Sequence, residues 1–377
     1  MIHQQQPPKL RSIFEGYGHL WDNDAVRPDA RHAIARALQC KTPELGANVY
    51  KSPLGESRTV YHTCKSRACP SCGYAQTLRW QAEVASQLPE IPYTGVIFTI
   101  PCEFWPILRE NRHLLPELPA IGAGVIQDWA REHNRAVVPV LMVRHTFNPK
   151  LEFNVHLHTL AGNAGVALDG SRAIGGIWYP VDFLRRRWRD ALLAFLADTL
   201  ASGALQSSLG EKAVARLIEE HRTRWWKIHV TRCAGKNRIL AYISRYLRRP
   251  PLAEYRLLSS DPAQVRFTWK NKREQNCSET LQVPVSEFIR RFVDQIPDRY
   301  RHGVHYFGLL APRNKPLLYR TFLRLIGNRL PRKPRRLRWS ASLRACFGID
   351  PLRDSLGCQM RFSHGLPPMP KSIPRAP

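Results

Sequence analysis

Alternating polar and apolar residues mark the clearest strand of this chain, residues 153–160. Residues two apart on a strand point to the same face of a sheet. His156 and His158 are therefore predicted to project together, while Val155 and Leu157 point the other way into a core. Two imidazoles held side by side on a strand form half of a metal site, and the alternative is a pair of packed or surface histidines.

Two further runs predict strands next to this one. Residues 138–146 are mostly apolar and are joined to residues 153–160 by a turn at 148–150, which predicts an antiparallel hairpin. The hairpin would bring His145 near the histidine pair, and the register decides whether His145 shares their face. His145 is thus a candidate third ligand or a packing residue. Residues 95–100 are continuously apolar and predict a buried central strand.

The rest of the pattern predicts a mixture of helices and strands, that is, an α+β protein. Helical spacing is found at 30–39, 182–200, 210–220, 237–249 and 286–295. Shorter strands are predicted at 47–51, 59–61, 176–179, 254–258, 264–269 and 280–283. Residues 1–26, rich in Gln and Pro at their start, are predicted to be a loosely ordered lead-in. The Pro-rich residues 360–377 are predicted to be disordered.

The charge of the chain changes this picture. Its 377 residues include 57 Lys and Arg against 30 Asp and Glu, a formal net charge of +27. Such a surplus is typical of a protein that binds a polyanion. We expect no membrane partner, because the sequence has no long apolar run, and we expect a cytoplasmic, nucleoid-associated protein because no signal peptide is visible.

The cysteines are clustered in a way that predicts a structural zinc site. Cys64, Cys69 and Cys72 form a Cys-x4-Cys-x2-Cys series, and Zn²⁺ prefers four ligands. Cys40 is the predicted fourth ligand, with His62 in reserve. Free buried thiols or a redox pair are the alternatives.

A second pair of chemically active residues lies in the predicted helix 237–249. Tyr242 and Tyr246 are four residues apart and so share one face of that helix, among Arg245, Arg248 and Arg249. Such a pair usually packs in a core. In a basic protein with a histidine pair, a tyrosine hydroxyl can instead act as a covalent nucleophile on a phosphate.

Metal, tyrosine and basic surface together predict cleavage and rejoining of DNA. A divalent cation, Mg²⁺ or Mn²⁺, held by the histidines would stabilise charge on a phosphate while tyrosine attacks it. The arginines of the tyrosine helix and of a basic arm, including Arg335 and Arg336, would contact DNA, although a solvated tail is the alternative for the arm. Arginines 185–187 and 189 are a solvated helix face or a phosphate contact. Trp225 and Trp226 are predicted to pack in a core, and stacking on single-stranded DNA is the alternative.

These motifs resemble the HUH endonucleases, specifically the two-tyrosine transposases of insertion sequences that move by rolling-circle transposition. The resemblance runs from Cys40 to about Pro312 and rests on five segments in order. They are the cysteine segment 63–72, the strand 98–101, the run 144–147 with the His156-Leu157-His158 motif, the tyrosine helix 240–246 and the run 305–311.

The resemblance implies a metal-dependent enzyme that nicks and joins single-stranded DNA through 5′-phosphotyrosine links at element ends and target. It implies catalysis by Tyr242 and Tyr246, and an antiparallel sheet flanked by helices after a small zinc-binding module. Family members often carry additional cysteine pairs near residues 51–54 and near the C-terminus, where this chain has only Cys358. We therefore expect no metal at either place.

The resemblance divides the chain into five parts. They are a lead-in (1–26), a zinc-binding DNA-binding module (27–90), an HUH nuclease core with the tyrosine helix (91–255), a C-terminal β/α part (256–325) and a basic, Pro-rich tail (326–377). A plasmid rolling-circle replication initiator or relaxase is the alternative that shares this chemistry. A non-catalytic zinc-containing DNA-binding protein is the alternative of a different class.

Overall fold

A computed structural model describes residues 9–66, 69–233, 251–271, 277–299, 303–329, 339–348 and 350–369. Its helices are α1 (Lys9–Gly16), α2 (Pro28–Leu38), α3 (Gly73–Gln87), α4 (Trp105–Glu110), α5 (Leu118–Asn134), α6 (Val181–Ala201), α7 (Glu211–His221), α8 (Val285–Asp294), α9 (Arg320–Leu325) and α10 (Trp339–Phe347). A single π-helical turn, Lys315–Tyr319, leads into α9.

The strands belong to four antiparallel sheets. They are β1 (Ala47–Lys51), β2 (Ser57–Tyr61), β3 (Tyr93–Thr99), β4 (Ala136–Val137), β5 (Pro139–Phe147), β6 (Phe153–Gly162), β7 (Gly165–Ala167), β8 (Ala173–Ile174), β9 (Ile228–Cys233), β10 (Leu257–Ser260), β11 (Gln264–Asn271), β12 (Cys277–Pro284), β13 (Val304–Gly308) and β14 (Arg361–Leu366). The orders are β13-β5-β6-β3-β9, β14-β1-β2, β10-β11-β12 and β4-β7-β8.

The five-stranded sheet is the centre of the fold. Its β5–β6 hairpin and its central strand β3 lie where the alternation of apolar residues predicts them, and the α+β class is confirmed. One face carries Phe98, Val155 and Leu157, which are fully buried in a cluster with Trp188 and other residues of α4 to α7. Burial of this face is the main force that fixes the strands, because apolar surface is removed from water along their whole length.

The opposite face of the central sheet is divided between a second core and the histidines. Val143 and Leu160 pack with Trp80 of α3 and Leu323 of α9. His145, His156 and His158 lie further along the same face, towards the end of the sheet where β3 and β5 finish and β6 begins. The sheet therefore leaves this corner of one face to polar side chains.

The predicted loose order of the N-terminal lead-in is wrong for residues 9–26. Leu10, Ile13 and Phe14 are buried on one side of α1, where they pack against Phe292 of α8. The apolar residues at spacings of three and four that produce this helix are present in the sequence. The Gln-rich and Pro-rich start of the chain obscured them.

Two other expectations about secondary structure are also wrong. Residues 361–366 are not disordered but form β14, which pairs with β1 at the other end of the chain. The partner strand supplies the order that the local sequence does not. Residues 176–179 form no strand, and Ile177 and Tyr179 are instead buried individually against the main core. Tyr179 donates a hydrogen bond of 2.6 Å to the carbonyl of Gly162.

Gly308 ends β13 in a left-handed conformation at φ = +57°, where it approaches its neighbours closely. A Cβ atom there would overlap the Val138 carbonyl oxygen and the Gln127 amide, which already hydrogen-bond to each other at 2.8 Å. Gly55 has φ = +88° but opens into free space. The two glycines thus share the same backbone requirement and differ in packing.

We predict that Gly308→Ala lowers the free energy of unfolding by about 1–3 kcal/mol more than Gly55→Ala does, because overpacking adds to the shared backbone strain. Urea denaturation followed by tryptophan fluorescence measures the difference. Equal losses in the two variants would contradict the close packing of Gly308.

Candidate metal centres

Strand pairing brings three histidines together on one face of the central sheet. His145 of β5 lies directly opposite His156 of β6 in the register, and His158 is two residues further along β6. Their candidate ligand nitrogens all lie within 4.8 Å of one another. The register thus places His145 on the face of the histidine pair, which the sequence left open.

The imidazole of His156 is oriented by the residue two positions before it. Its Nδ1 lies 3.0 Å from the backbone carbonyl oxygen of Asn154 and 3.2 Å from the Asn154 side-chain oxygen. When Nδ1–H donates to these acceptors, Nε2 presents its lone pair, and it lies 3.1 Å from Nδ1 of His145. Such an outer hydrogen bond sets the tautomer of metal-binding histidines. Sequence reasoning missed Asn154, although its position on the same strand face was a usable signal.

The exposure of the three histidines is compatible with a metal site. His145 and His158 are almost fully buried and His156 is partly exposed, so the cluster opens to solvent on one side. A protonated imidazole is disfavoured where water is excluded, whereas neutral imidazole is the form that binds a metal ion. Three imidazole nitrogens converging from two rigid strands fit a divalent cation with open positions for other ligands.

The second cluster consists of four buried cysteines. Cys40 follows α2, Cys64 follows β2, and Cys69 and Cys72 precede α3. Their Sγ atoms lie within 4.8 Å of one another, and those of Cys64 and Cys72 are 3.7 Å apart. A tetrahedral site with Zn–S bonds of about 2.3 Å places its sulfurs about 3.8 Å apart. The four thiols therefore fit a structural zinc ion.

Backbone amides point at the sulfurs of this cluster. The Cys64 amide donates to the Cys40 sulfur over 3.5 Å, and the Ser66 amide donates to the Cys64 sulfur over 3.4 Å. Hydrogen bonds from the neighbouring thiols, Cys64 first among them, lower the pKa of Cys40. The same contacts, that with Cys40 first among them, raise the pKa of Cys64 and of Cys72, so Cys40 is the thiol that most readily becomes thiolate, the form that binds zinc. Exposed His62, the reserve ligand, is not among the four clustered residues.

The remaining predicted site residues have different outcomes. The helix 237–249 and the basic arm lie outside the described residues, and with them Tyr242, Tyr246, Arg245, Arg248, Arg249, Arg335 and Arg336. Trp226 packs in the main core as expected. The same expectation is wrong for Trp225, which is 75% exposed because Trp226 already fills the core position beside it.

Two known protein families match the segments that hold the two clusters. A family described as “Putative transposase” matches residues 140–316, which hold the three histidines. A family described as “Transposase zinc-binding domain” matches residues 12–100, which hold the four cysteines. The chain belongs to the transposases that carry an N-terminal zinc-binding domain.

Two curated transposases are similar to this chain over most of its length. The transposase for insertion sequence element IS801 of Pseudomonas savastanoi pv. phaseolicola is 29% identical over 95% of this chain and 90% of its own. The “Putative transposase y4qJ” of Sinorhizobium fredii is 27% identical over 86% of this chain and 85% of its own. No solved structure matches the transposase. Among the helices that the structure describes, none is long and apolar enough to cross a membrane.

We predict that the purified transposase holds about one zinc ion per chain and that Cys69→Ser removes most of it, because a structural site needs all four ligands. Elemental analysis after dialysis measures the zinc content. Cys277→Ser is the control, since Cys277 is exposed on β12, away from the cluster. Zinc retained by the Cys69 variant would contradict the four-cysteine site.

Proposed function

We propose that this transposase nicks and rejoins single-stranded DNA at element ends and target through a tyrosine–phosphate intermediate. The observation that carries the proposal is the convergence of His145, His156 and His158 on one sheet face, within the segment that matches the transposase family. The match of residues 12–100 to a transposase zinc-binding domain favours a transposase over a replication initiator or relaxase.

In this proposal the three histidines hold a divalent cation. Their nitrogen donors suit Mn²⁺ better than Mg²⁺, which prefers oxygen ligands. When bound, the cation supplies positive charge to an oxygen of the scissile phosphate. Asn154 keeps the His156 ring in the tautomer that presents Nε2, and the β5–β6 pairing keeps His145 beside it.

Tyr242 and Tyr246 are the proposed nucleophiles. The phenol oxygen of one tyrosine forms a bond to phosphorus, the bond from phosphorus to the 3′ oxygen breaks, and that oxygen takes up a proton as the phenol loses one. The 5′ phosphate stays on tyrosine, so the energy of the bond is kept for rejoining. A second 3′ hydroxyl then attacks the phosphotyrosine and releases the phenol. Tyrosine suits this exchange because phenolate is a good leaving group with an ordinary pKa near 10.

Asn154→Ala tests how the histidine cluster is positioned. We expect Mn²⁺ affinity to fall by up to about tenfold, the low end of the effect of losing an outer hydrogen bond, because the side-chain acceptor is removed while the backbone carbonyl of residue 154 still accepts from His156 Nδ1. Titration calorimetry of the zinc-loaded protein with Mn²⁺ measures the change. His113→Gln is the control, because His113 is exposed and contacts the Ala204 carbonyl in another part of the molecule. Unchanged affinity in Asn154→Ala would remove the Asn154 side chain from the proposal and leave its backbone carbonyl as the acceptor.

The covalent step is tested with labelled single-stranded DNA that carries the ends of the encoding element. With Mn²⁺ we expect a protein–DNA adduct on a denaturing gel, and we expect it to disappear in EDTA and in His156→Ala. The double variant Tyr242→Phe and Tyr246→Phe should bind the DNA but form no adduct.

The matched control is Tyr255→Phe, because Tyr255 is 80% exposed near the tyrosine helix in sequence and has no place in the mechanism. This variant should form the adduct normally. An adduct formed by the double tyrosine variant would overturn the nucleophile assignment. DNA binding by the wild type without any adduct would favour the non-catalytic DNA-binding alternative.

A further inference from the structure

Trp225 forms an exposed aromatic platform that is held in place from below. The Arg185 guanidinium of α6 lies 3.0 Å over the centre of its ring, and Arg185 itself is only 8% exposed. The ring is nevertheless 75% exposed. One face of the indole is thus covered by a buried cation and the other faces solvent.

The residues around Trp225 fix its position. Its neighbour Trp226 is buried against Phe104, with ring centroids 6.0 Å apart. Arg189 of α6 donates a hydrogen bond of 3.4 Å to the Arg224 carbonyl, just before the platform. The Thr99 hydroxyl donates to the Lys227 carbonyl, just after it. The indole is therefore presented by a rigid backbone rather than by a free loop.

The platform lies at the same end of the central sheet as the histidine cluster. Thr99, which contacts the segment of Trp225, pairs with His156 in the register of β3 and β6. The Trp188 indole donates a hydrogen bond of 2.8 Å to the Thr99 carbonyl and ties α6 to the same point. Trp225 and His156 thus lie at the same end of the sheet, with Trp225 beside α6 on the side of the main core and His156 on the opposite face.

The surroundings of the platform are polar and carry both signs of charge. Asp182 contacts the Arg185 guanidinium at 3.0 Å, and Arg224 is paired with Glu103 and Glu220. Arg186 and Lys227 are exposed on the two segments that flank the ring. A flat apolar ring framed by exposed cations fits a nucleobase with its phosphates better than it fits an apolar protein surface.

We propose that Trp225 stacks on a base of the single-stranded DNA that passes the histidine cluster. This inference rests on the proposed function, because it takes single-stranded DNA as the substrate. Arg185 positions the ring and polarises it from the buried side, while the open face receives the base. Stacking of this kind tolerates any base, so Trp225 would hold the strand without selecting its sequence.

The test measures equilibrium binding of fluorescein-labelled oligothymidine to the zinc-loaded full-length protein without added Mg²⁺ or Mn²⁺, by fluorescence anisotropy. We expect Trp225→Ala to weaken binding roughly tenfold and Trp225→Phe to weaken it much less, because alanine removes the stacking surface. The dependence of affinity on salt concentration should stay the same, since no phosphate contact is lost. Thermal unfolding of the variant should match the wild type because the side chain is exposed.

Trp178→Ala is the matched control. Trp178 is also exposed, at 55%, but its segment is bound to Asn163 at the opposite end of the central sheet. This variant should bind oligothymidine as the wild type does. Wild-type affinity in Trp225→Ala, or an equal loss in both tryptophan variants, would overturn the proposal.

Single abasic sites placed along the oligonucleotide locate the stacked base. At one position the abasic site should weaken binding by the wild type and have no further effect on Trp225→Ala, because the same contact is already absent. If the abasic site and Trp225→Ala weaken binding independently of each other at every position, the stacking contact is overturned. Because these measurements need no cleavage, they separate this proposal from the covalent mechanism. If the wild type forms the DNA adduct normally and Trp225→Ala binds oligothymidine like the wild type, only the stacking proposal is rejected.

Discussion

The register between β5 and β6 is the constraint on which the histidine cluster depends. Side chains alternate across a strand, so a shift of one residue would move His156 and His158 to the face that packs against α4 to α7. Fully buried Val155 and Leu157 prevent that shift, because it would remove both from the main core and place imidazoles there instead. The same apolar residues that hold the sheet together therefore decide which way the candidate ligands point.

The two candidate metal centres are built by different means. The histidines are held on the rigid strands of a large hydrophobic core, and their geometry does not need an ion to be maintained. The cysteines come from three short segments around a small cluster, in which few apolar side chains such as Leu45 contribute. In such a cluster metal–sulfur bonds take over the role that hydrophobic burial has in the sheet.

Most of the fold could be predicted from local sequence patterns. The wrong predictions concern contacts between residues that are distant in sequence. The alternation in β6, the apolar run of β3 and the helical spacing of α6 were each readable in isolation, as was the spacing of Cys64, Cys69 and Cys72. The sheet face on which His145 lies could not be predicted, because the register depends on two strands together. Strand β14 could not be predicted because its order comes from β1. Trp225 was misjudged because a Trp-Trp pair does not reveal which ring fills the core.

The pairing of β14 with β1 has a consequence for the synthesis of the protein on the ribosome. Strand β1 is the middle strand of its sheet, between β2 and β14, so the sheet is complete only after the ribosome has passed Leu366. Until then one edge of β1 has free amide and carbonyl groups, the kind of edge that recruits strands from other chains. A product of premature termination keeps this edge permanently. An interrupted chain therefore differs from a finished one by an unpaired strand edge.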